Sequence, residues 1–267
     1  IMAQEKKILS TDLSEDGVLR LTMDDQKSKN ALSEEMMTFL MNELHQAMKN
    51  HLIKVIVIAA KGDVFSAGHD LKEITQARKD TNEGELYFKK LFDQCSSLMQ
   101  FIVTCSKPII AEIAGTATAA GCQLVASCDL ALASDEAKFA TPGVNLGLFC
   151  STPMVALTRA VKNKHAMEML LTGDFIEATK AKEIGLINNH YPKDVLEKET
   201  TKLANKISHK SSIAVSTGKE AFYTQSYQDL SGAYEFTSKI MVENLLKEEA
   251  KEGIGAFLEK RNPNFGK

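Results

Sequence analysis

Hydrophobic and polar positions along the chain predict mixed strands and helices, followed by a helical tail. Residues 17–23 alternate with a period of two, which is typical of a strand with one buried face. Three further runs, at 55–60, 108–114 and 128–133, are apolar at nearly every position, as expected of strands covered on both faces. Helical segments separate these runs, so the strands are predicted to join through crossover connections in an α/β fold. From Pro153 onward the pattern is almost wholly helical.

One helix is predicted to begin after Ser33, whose hydroxyl suits an N-cap, with Glu34 and Glu35 in the first turn. Its apolar positions form one stripe, made of Met37, Leu40, Met41, Leu44 and Met48. A methionine-rich stripe can serve as a binding face, but this spacing is that of a buried helix face, and we interpret it as core. The helical tail is interpreted as either a cover for the sheet or an oligomerisation surface.

Composition excludes several classes of function. The 267 residues are 44% hydrophobic and 25% charged, and the net charge of −3 is too balanced for a nucleic-acid-binding surface. No apolar run approaches the roughly 18 residues of a membrane span, and residues 1–7 lack the apolar core of a signal peptide. We therefore expect no membrane span and no nucleic-acid partner. The expected location is the cytoplasm, or the mitochondrial matrix if a transit peptide has been removed.

Cysteine and histidine spacing gives no sign of a metal site or of disulfides. The five cysteines are odd in number, lie in apolar surroundings and form no CxxC pair, which favours reduced thiols. The loop 115–121 follows a strand, yet it matches neither GxGxxG nor a P-loop, and the sequence contains no GxSxG or HExxH. We expect no metal ion and no dinucleotide or ATP site.

Two loops rich in small residues are candidates for holding a developing negative charge. The first, 65–73, follows the apolar run 55–60, and its small residues let a ligand approach the backbone closely. The second, 114–121, opens a helix, where unpaired backbone N–H groups carry positive potential. The same segments also fit simpler roles, namely a tight turn capped by Asp70 and close helix packing through small residues.

Seven segments, taken together and in their order, are more specific than either loop alone. They lie at 30–33, 65–73, 107–111, 121–124, 128–131, 139–142 and 171–173. In combination they resemble the enoyl-CoA hydratase/isomerase (crotonase) superfamily over nearly the whole chain. The resemblance implies a spiral of ββα units over 1–195 and a C-terminal helical region over 196–267 that covers the core or forms trimers. It also implies a homotrimer, or a hexamer made of two trimers.

The resemblance further implies where an acyl-CoA thioester would bind. The family stabilises a thioester enolate with two backbone N–H groups, which here fall on His69 and Ala120. The remaining positions implied for binding coenzyme A are Ala67, Gly68, Asp70, Leu71 and Lys72 along its path, Lys27 and Lys72 at its phosphates, and Phe257 and Lys260 at a neighbouring subunit's ligand. Coenzyme A would enter as part of the substrate, and no separate cofactor is expected.

This sequence departs from the family where a hydratase carries its two catalytic glutamates. The first position holds Gln123, whose amide cannot exchange a proton near neutral pH, and the second holds Gly143, which has no side chain. Because each general acid or base typically contributes ~10²–10⁴-fold, we expect ordinary enoyl-CoA hydration to be slow or absent.

Other residues are candidate substitutes for the missing glutamates. Glu112 lies on a predicted buried strand, where it is either a proton-transfer group or, as we favour, satisfied by a structural partner. Cys150 and Asn145 lie in the segment that brings catalytic groups to the pocket in relatives, and the His69 side chain is either a base or an anchor for its loop. Two functions stay open. One is an enzyme that uses the two amides for isomerisation, decarboxylation or thioester cleavage, and the other is a catalytically silent protein that binds acyl-CoA or a partner.

Overall fold

The computed structural model describes residues 8–265, so residues 1–7, on which the signal-peptide prediction rests, and residues 266–267 lie outside the described part. Its strands, in chain order, are β1 (Leu9–Leu13), β2 (Val18–Met23), β3 (Val55–Ala60), β4 (Val64–Ser66), β5 (Ile109–Ile113), β6 (Thr116–Thr118), β7 (Leu130–Ser134), β8 (Lys138–Ala140), β9 (Ile176–Glu177) and β10 (Asn189–Tyr191). Its α-helices are α1 (Glu34–Lys49), α2 (Leu71–Ala77), α3 (Glu85–Thr104), α4 (Ala120–Ser127), α5 (Ser151–Ala160), α6 (Asn163–Thr172), α7 (Ala178–Glu183), α8 (Leu196–Ser208), α9 (Ser212–Gln225), α10 (Leu230–Leu245) and α11 (Glu248–Leu258). A 3₁₀ helix spans Pro142–Leu146.

Successive strands enter two sheets in turn. A six-stranded sheet has the order β1-β2-β3-β5-β7-β10, and a four-stranded sheet has the order β4-β6-β8-β9. The pairs β3–β4, β5–β6 and β7–β8 each place their first strand in the large sheet and their second in the small one, and helix follows each pair. Corresponding strands of these pairs run parallel to one another. The predicted α/β spiral of ββα units is therefore confirmed.

The apolar runs of the sequence form the centre of the large sheet because both of its faces are covered. Ile56 and Ile58 of β3 pack in the main core with side chains of α1, whereas Val55 and Val57 pack with Ala204 of α8. Fully burying an aliphatic side chain of this size contributes about 1.5–3 kcal/mol, so alternate residues of one strand stabilise opposite layers. In the small sheet β4 and β6 pair in parallel, so the carboxyl ends of these strands, from which the chain continues to His69 and Ala120, lie beside each other.

Helix α1 begins and packs as its sequence predicts. The hydroxyl of Ser33 accepts a hydrogen bond from the N–H of Met36 at 3.1 Å, which confirms the N-cap. The stripe is core, with Met37, Leu40 and Leu44 fully buried and Met41 and Met48 partly buried against the same cluster. The five cysteines are all buried and free of disulfides, in agreement with the prediction of reduced thiols.

The C-terminal helices differ in how they contact the rest of the chain. Helix α8, which starts at the predicted 195/196 boundary, packs on β3 and β5. Helix α9 is attached through Lys219 and Tyr223, whose side chains bind the carboxylate of Asp129. Helix α10 buries none of its residues, and the outer helices expose large apolar side chains, among them Phe222, Tyr234, Met241, Leu245, Ile254 and Phe257. Over residues 8–265, no helix is both long and apolar enough to cross a membrane.

Candidate functional site

The first candidate loop is a tight turn between β4 and α2. Gly68 has a φ of +90°, a conformation that side chains disfavour, so the turn requires glycine at this point. Asp70 caps α2, accepting a hydrogen bond from the N–H of Lys72 at 2.8 Å. The predicted Asp70-capped turn is therefore confirmed. The cap also fixes the direction in which the chain leaves His69.

The second candidate loop joins β6 to α4 through a strained residue. Ala119 has φ +50° and ψ −120°, which is unfavourable for a residue with a side chain. Its N–H donates to the carbonyl of Ala140 at 3.0 Å, so the strand pairing of β6 with β8 holds the strained backbone in place. Ala120 is the first residue of α4, and an N–H at this position has no intrahelical acceptor.

The two loops are in direct contact at the residues that precede the candidate amides. A Cβ placed on Gly68 would lie 3.0 Å from the Cβ of Ala119 and 3.1 Å from the backbone N of Ala120. The hydroxyl of Thr118 also donates to the carbonyl of Ala67 at 3.2 Å. Over residues 8–265, neither the N–H of His69 nor that of Ala120 donates a hydrogen bond. Two unpaired backbone donors thus belong to loops that touch.

Close packing through glycine supports the same region. A Cβ placed on Gly121 would lie only 2.2 Å from the carbonyl oxygen of Ser66, so α4 can approach the end of β4 only without a side chain at this position. The packing role that we weighed for this segment is therefore real. The packing role is compatible with the binding role, because the contact between Gly121 and Ser66 holds the two loops together.

A third loop, which the sequence pattern did not single out as part of a site, supports the first. Asn30 is fully buried with a φ of +52°, and its side-chain amide donates to the carbonyls of Lys61 and Val64. Asparagine adopts this left-handed conformation more readily than most residues, which is a local sequence signal for its role. The next residues then reach the candidate site, because the N–H of Leu32 donates to the carbonyl of Gly68 at 2.7 Å.

The imidazole of His69 is held beside this third loop. Its Nδ1 lies 3.1 Å from the carbonyl oxygen of Leu32, and because a carbonyl only accepts, Nδ1 carries the proton. The ring packs edge-on against Phe92, with centroids 5.4 Å apart, and its Nε2 is buried with no hydrogen-bond partner. Burial lowers the pKa of His69, since the charged form would lose its hydration. The ring is therefore neutral near pH 7.

Gln123 is nearly fully buried one turn into α4. Its Oε1 accepts a weak hydrogen bond from the thiol of Cys95, at 3.8 Å. Burial raises the pKa of Cys95 to about 12, so this neighbour is a thiol near pH 7. The pair is neutral and offers no group that exchanges a proton at this pH.

The space beside Gly143 is occupied by Cys150. A Cβ placed on Gly143 would lie 2.9 Å from the Sγ of Cys150 and 3.2 Å from the carbonyl oxygen of Leu148. Burial raises the pKa of Cys150, and a hydrogen bond from the backbone of Gly143 only partly opposes this rise. The thiol is therefore protonated near pH 7, which argues against its use as a nucleophile.

Comparison with known proteins decides the family. The model of the enoyl-CoA hydratase/isomerase family matches residues 14–267. The chain belongs to the enoyl-CoA hydratase/isomerase family. Among relatives of this family, human enoyl-CoA hydratase domain-containing protein 3, mitochondrial, is 50% identical over 249 residues, covering 93% of this chain and 80% of the human protein.

Solved structures of the enoyl-CoA hydratase/isomerase family agree with this fold. The crystal structure of human enoyl-CoA hydratase domain-containing protein 3 has a TM-score of 0.92 and 46% identity, covering 97% of this chain and 100% of the human one. An enoyl-CoA hydratase from Mycobacterium smegmatis has a TM-score of 0.93 and 43% identity, covering 97% and 99% respectively. The family model, which matches residues 14–267, includes the C-terminal helices.

The other residues that the family resemblance implied lie away from the backbone N–H groups of His69 and Ala120 or at the edge of the candidate site. Glu112 forms a bidentate ion pair with Arg20, at 2.8 and 2.9 Å, which confirms the structural partner that we favoured. The side chains of Lys27, Leu71 and Lys72 are exposed. Phe257, 82% exposed, and Lys260 lie at the end of α11, which packs on α10. Two surface depressions, of about 550 and 220 Å³, lie near the end of α1 and beside α6, and none of these residues lines them.

Proposed function

We propose that this chain binds an acyl-CoA thioester with its carbonyl oxygen between the backbone N–H groups of His69 and Ala120. The observation that carries the proposal is the contact of the two loops at Gly68, with both amides left unpaired. Fixed donors of this kind contribute about 2.7–4 kcal/mol each to an enolate-like transition state. The strained backbone of Ala119 supports the proposal, because strain of this kind persists mainly where function requires it.

Coenzyme A would extend from this point along the start of α2. Ala67, Asp70, Leu71 and Lys72 would flank it, and the exposed ammonium groups of Lys72 and Lys27 would face its phosphates. Lysine suits a phosphate as a mobile point charge, and a surface pair of this kind adds modest affinity. Coenzyme A is here a part of the substrate, and the chemistry needs no other cofactor.

The reaction would use enolate stabilisation without a pair of carboxylates. Isomerisation, decarboxylation and thioester cleavage meet this condition, whereas water addition by two glutamates does not, because Gln123 and Gly143 stand at those positions. The second candidate is a catalytically silent acyl-CoA-binding or partner-binding protein. The observation that favours this candidate is Cys150. Its protonated thiol fills the space beside Gly143, the position at which a hydratase carries a catalytic glutamate.

We also propose an assembly in which the C-terminal region 196–267 contacts other copies of the chain. The apolar side chains exposed on α9 to α11 would be covered in a homotrimer or a hexamer, and Phe257 and Lys260 would reach a neighbour's coenzyme A. The human relative described above as mitochondrial supports the mitochondrial matrix over the cytoplasm as the location.

Calorimetric titration with acyl-CoA esters, followed by mass spectrometry of the recovered ligand, tests the proposed binding. We expect wild-type protein to bind, and the combined Lys27→Ala and Lys72→Ala variant to bind about tenfold more weakly, since each exposed charge pair contributes up to ~1 kcal/mol. Lys79→Ala is the matched control, because Lys79 is also exposed near α2 and its ammonium group donates a hydrogen bond to the side chain of Gln76. A changed acyl group in the recovered ligand supports an enzyme, and an intact thioester supports the silent protein. An absence of binding overturns the proposal.

A further inference from the structure

Leu32 makes two hydrogen bonds to residues 68 and 69, whose shared peptide group carries one of the two proposed donors. Its N–H donates to the carbonyl of Gly68 at 2.7 Å, and its own carbonyl accepts the Nδ1–H of the His69 ring at 3.1 Å. The Gly68 carbonyl and the His69 N–H belong to one peptide group. Leu32 therefore holds this pair of residues at two points, the backbone carbonyl of Gly68 and the imidazole of His69.

The bond to the Gly68 carbonyl determines where the His69 N–H points. In a planar trans peptide the C=O and N–H directions are opposed, so fixing one fixes the other. A hydrogen bond accepted by the carbonyl also polarises the N–H and makes it a better donor. Gly68 has no side chain that could hold the plane of this peptide group, and its φ of +90° lies in a region that glycine adopts readily.

Leu32 is a rigid reference for this arrangement. It is fully buried, and it lies between Asn30, whose amide is anchored to β4 and the β3–β4 turn, and Ser33, which caps α1. The His69 ring is itself held by its edge-on contact with Phe92, burial keeps it neutral, and the Leu32 carbonyl selects the tautomer with the proton on Nδ1. Rotation of the ring would leave the Leu32 carbonyl without this donor.

We propose that the imidazole of His69 is a positioning residue which, through Leu32, holds its own backbone N–H toward the thioester oxygen. This inference rests on the proposed function. It assigns the ring neither a proton-transfer role nor a substrate contact.

Acetoacetyl-CoA gives a readout of donor direction. It loses a C2 proton to the buffer, and the enolate that remains absorbs in the near ultraviolet, where the keto form does not. A donor aimed at the enolate oxygen raises the enolate fraction of the bound ligand at a given pH. Butyryl-CoA, which does not enolise measurably, reports ground-state binding by calorimetry.

Three variants separate the ring's donor from its bulk, and all of them retain the backbone N–H. His69→Asn places an amide N–H at the position of Nδ1, His69→Leu removes the donor, and His69→Gln carries its amide one bond too far. We expect His69→Leu and His69→Gln to lower the ratio of bound enolate to keto form about tenfold, the value of one ordinary hydrogen bond. In the same two variants the affinity for butyryl-CoA should fall by a smaller factor than this ratio. His69→Asn should recover most of the wild-type ratio of bound enolate to keto form.

The outcomes distinguish the inference from the proposed function. If wild-type protein binds no CoA ester, or binds acetoacetyl-CoA without added enolate, the proposed function itself fails. If wild-type protein adds enolate and the His69→Leu and His69→Gln variants add as much, the positioning role is overturned and the proposed function stands. A thermal melt accompanies each variant, and His69→Gln carries the test if His69→Leu does not fold.

Discussion

We expect purified protein to hydrate crotonyl-CoA at least about ten thousandfold more slowly than a family hydratase that carries both glutamates. Each missing general acid or base removes ~10²–10⁴-fold, and neither Gln123 nor Gly143 supplies a replacement proton carrier. The unpaired amides of His69 and Ala120 leave thioester binding intact in this account. Loss of the crotonyl-CoA absorbance over time, with a family hydratase measured alongside, gives the ratio.

Two substitutions sharpen this experiment. Gln123→Ala should leave the residual rate unchanged, because the amide transfers no proton, whereas a further large loss would make Gln123 a catalytic residue. Gly143→Glu should fail to restore hydration, since its Cβ would lie 2.9 Å from the Sγ of Cys150 and overpacking typically costs about 1–3 kcal/mol. A wild-type rate within tenfold of the family hydratase contradicts the account, because some other carboxylate would then reach the thioester.

Replacing Asp129 with alanine should lower the free energy of unfolding by about 3–5 kcal/mol, which is the usual cost of leaving a buried charge without its partner. The carboxylate accepts hydrogen bonds from Lys219 at 2.7 Å, from Tyr223 at 2.8 Å and from the N–H of Ile109 at 2.7 Å. The Lys219 side chain is only 7% exposed, and its ammonium group, which also donates to the carbonyls of Ile102 and Lys107, would lose the carboxylate that balances its charge. Urea denaturation followed by circular dichroism measures the difference.

The Asp129 network also attaches α9 to the core, which gives the prediction a matched control. Asp129→Asn keeps an acceptor and should cost less than Asp129→Ala, and it serves if the alanine variant does not fold. Lys239→Ala removes a partner of the exposed Lys239–Glu235 pair on α10 and should change stability little. If Asp129→Ala unfolds at the same urea concentration as wild-type protein, the network does not stabilise the attachment of α9.

The architecture was largely predictable, because the pattern of apolar positions records burial directly. The run 55–60 is β3 residue for residue, and the runs 108–114 and 128–133 contain or overlap β5 and β7. A strand covered on both faces must be apolar throughout, and this constraint survives in the sequence without knowledge of its neighbours. The Ser33 cap followed from equally local chemistry.

The contacts in and around the candidate site were less predictable, because they join residues that are far apart in sequence. Arg20 and Glu112 pair across 92 positions, and Leu32 meets Gly68 across 36, so neither pairing leaves a periodic signal. Cys150 occupies the space beside Gly143 because of the path that the chain takes after the 3₁₀ helix, and no rule of residue spacing predicts that path. The roles assigned to His69, Ala120 and the coenzyme A contacts remain predictions.

The near-ultraviolet spectrum of acetoacetyl-CoA bound to wild-type protein tests most directly whether the amides of residues 69 and 120 serve one oxygen. We predict that the bound ligand enolises at a lower pH than the free ligand, and that Gly68→Ala, whose Cβ would push against Ala119 and Ala120, abolishes this difference. Calorimetry run on the same samples establishes that the ligand is bound. An unchanged pH dependence of enolisation in fully bound wild-type protein would contradict the shared site.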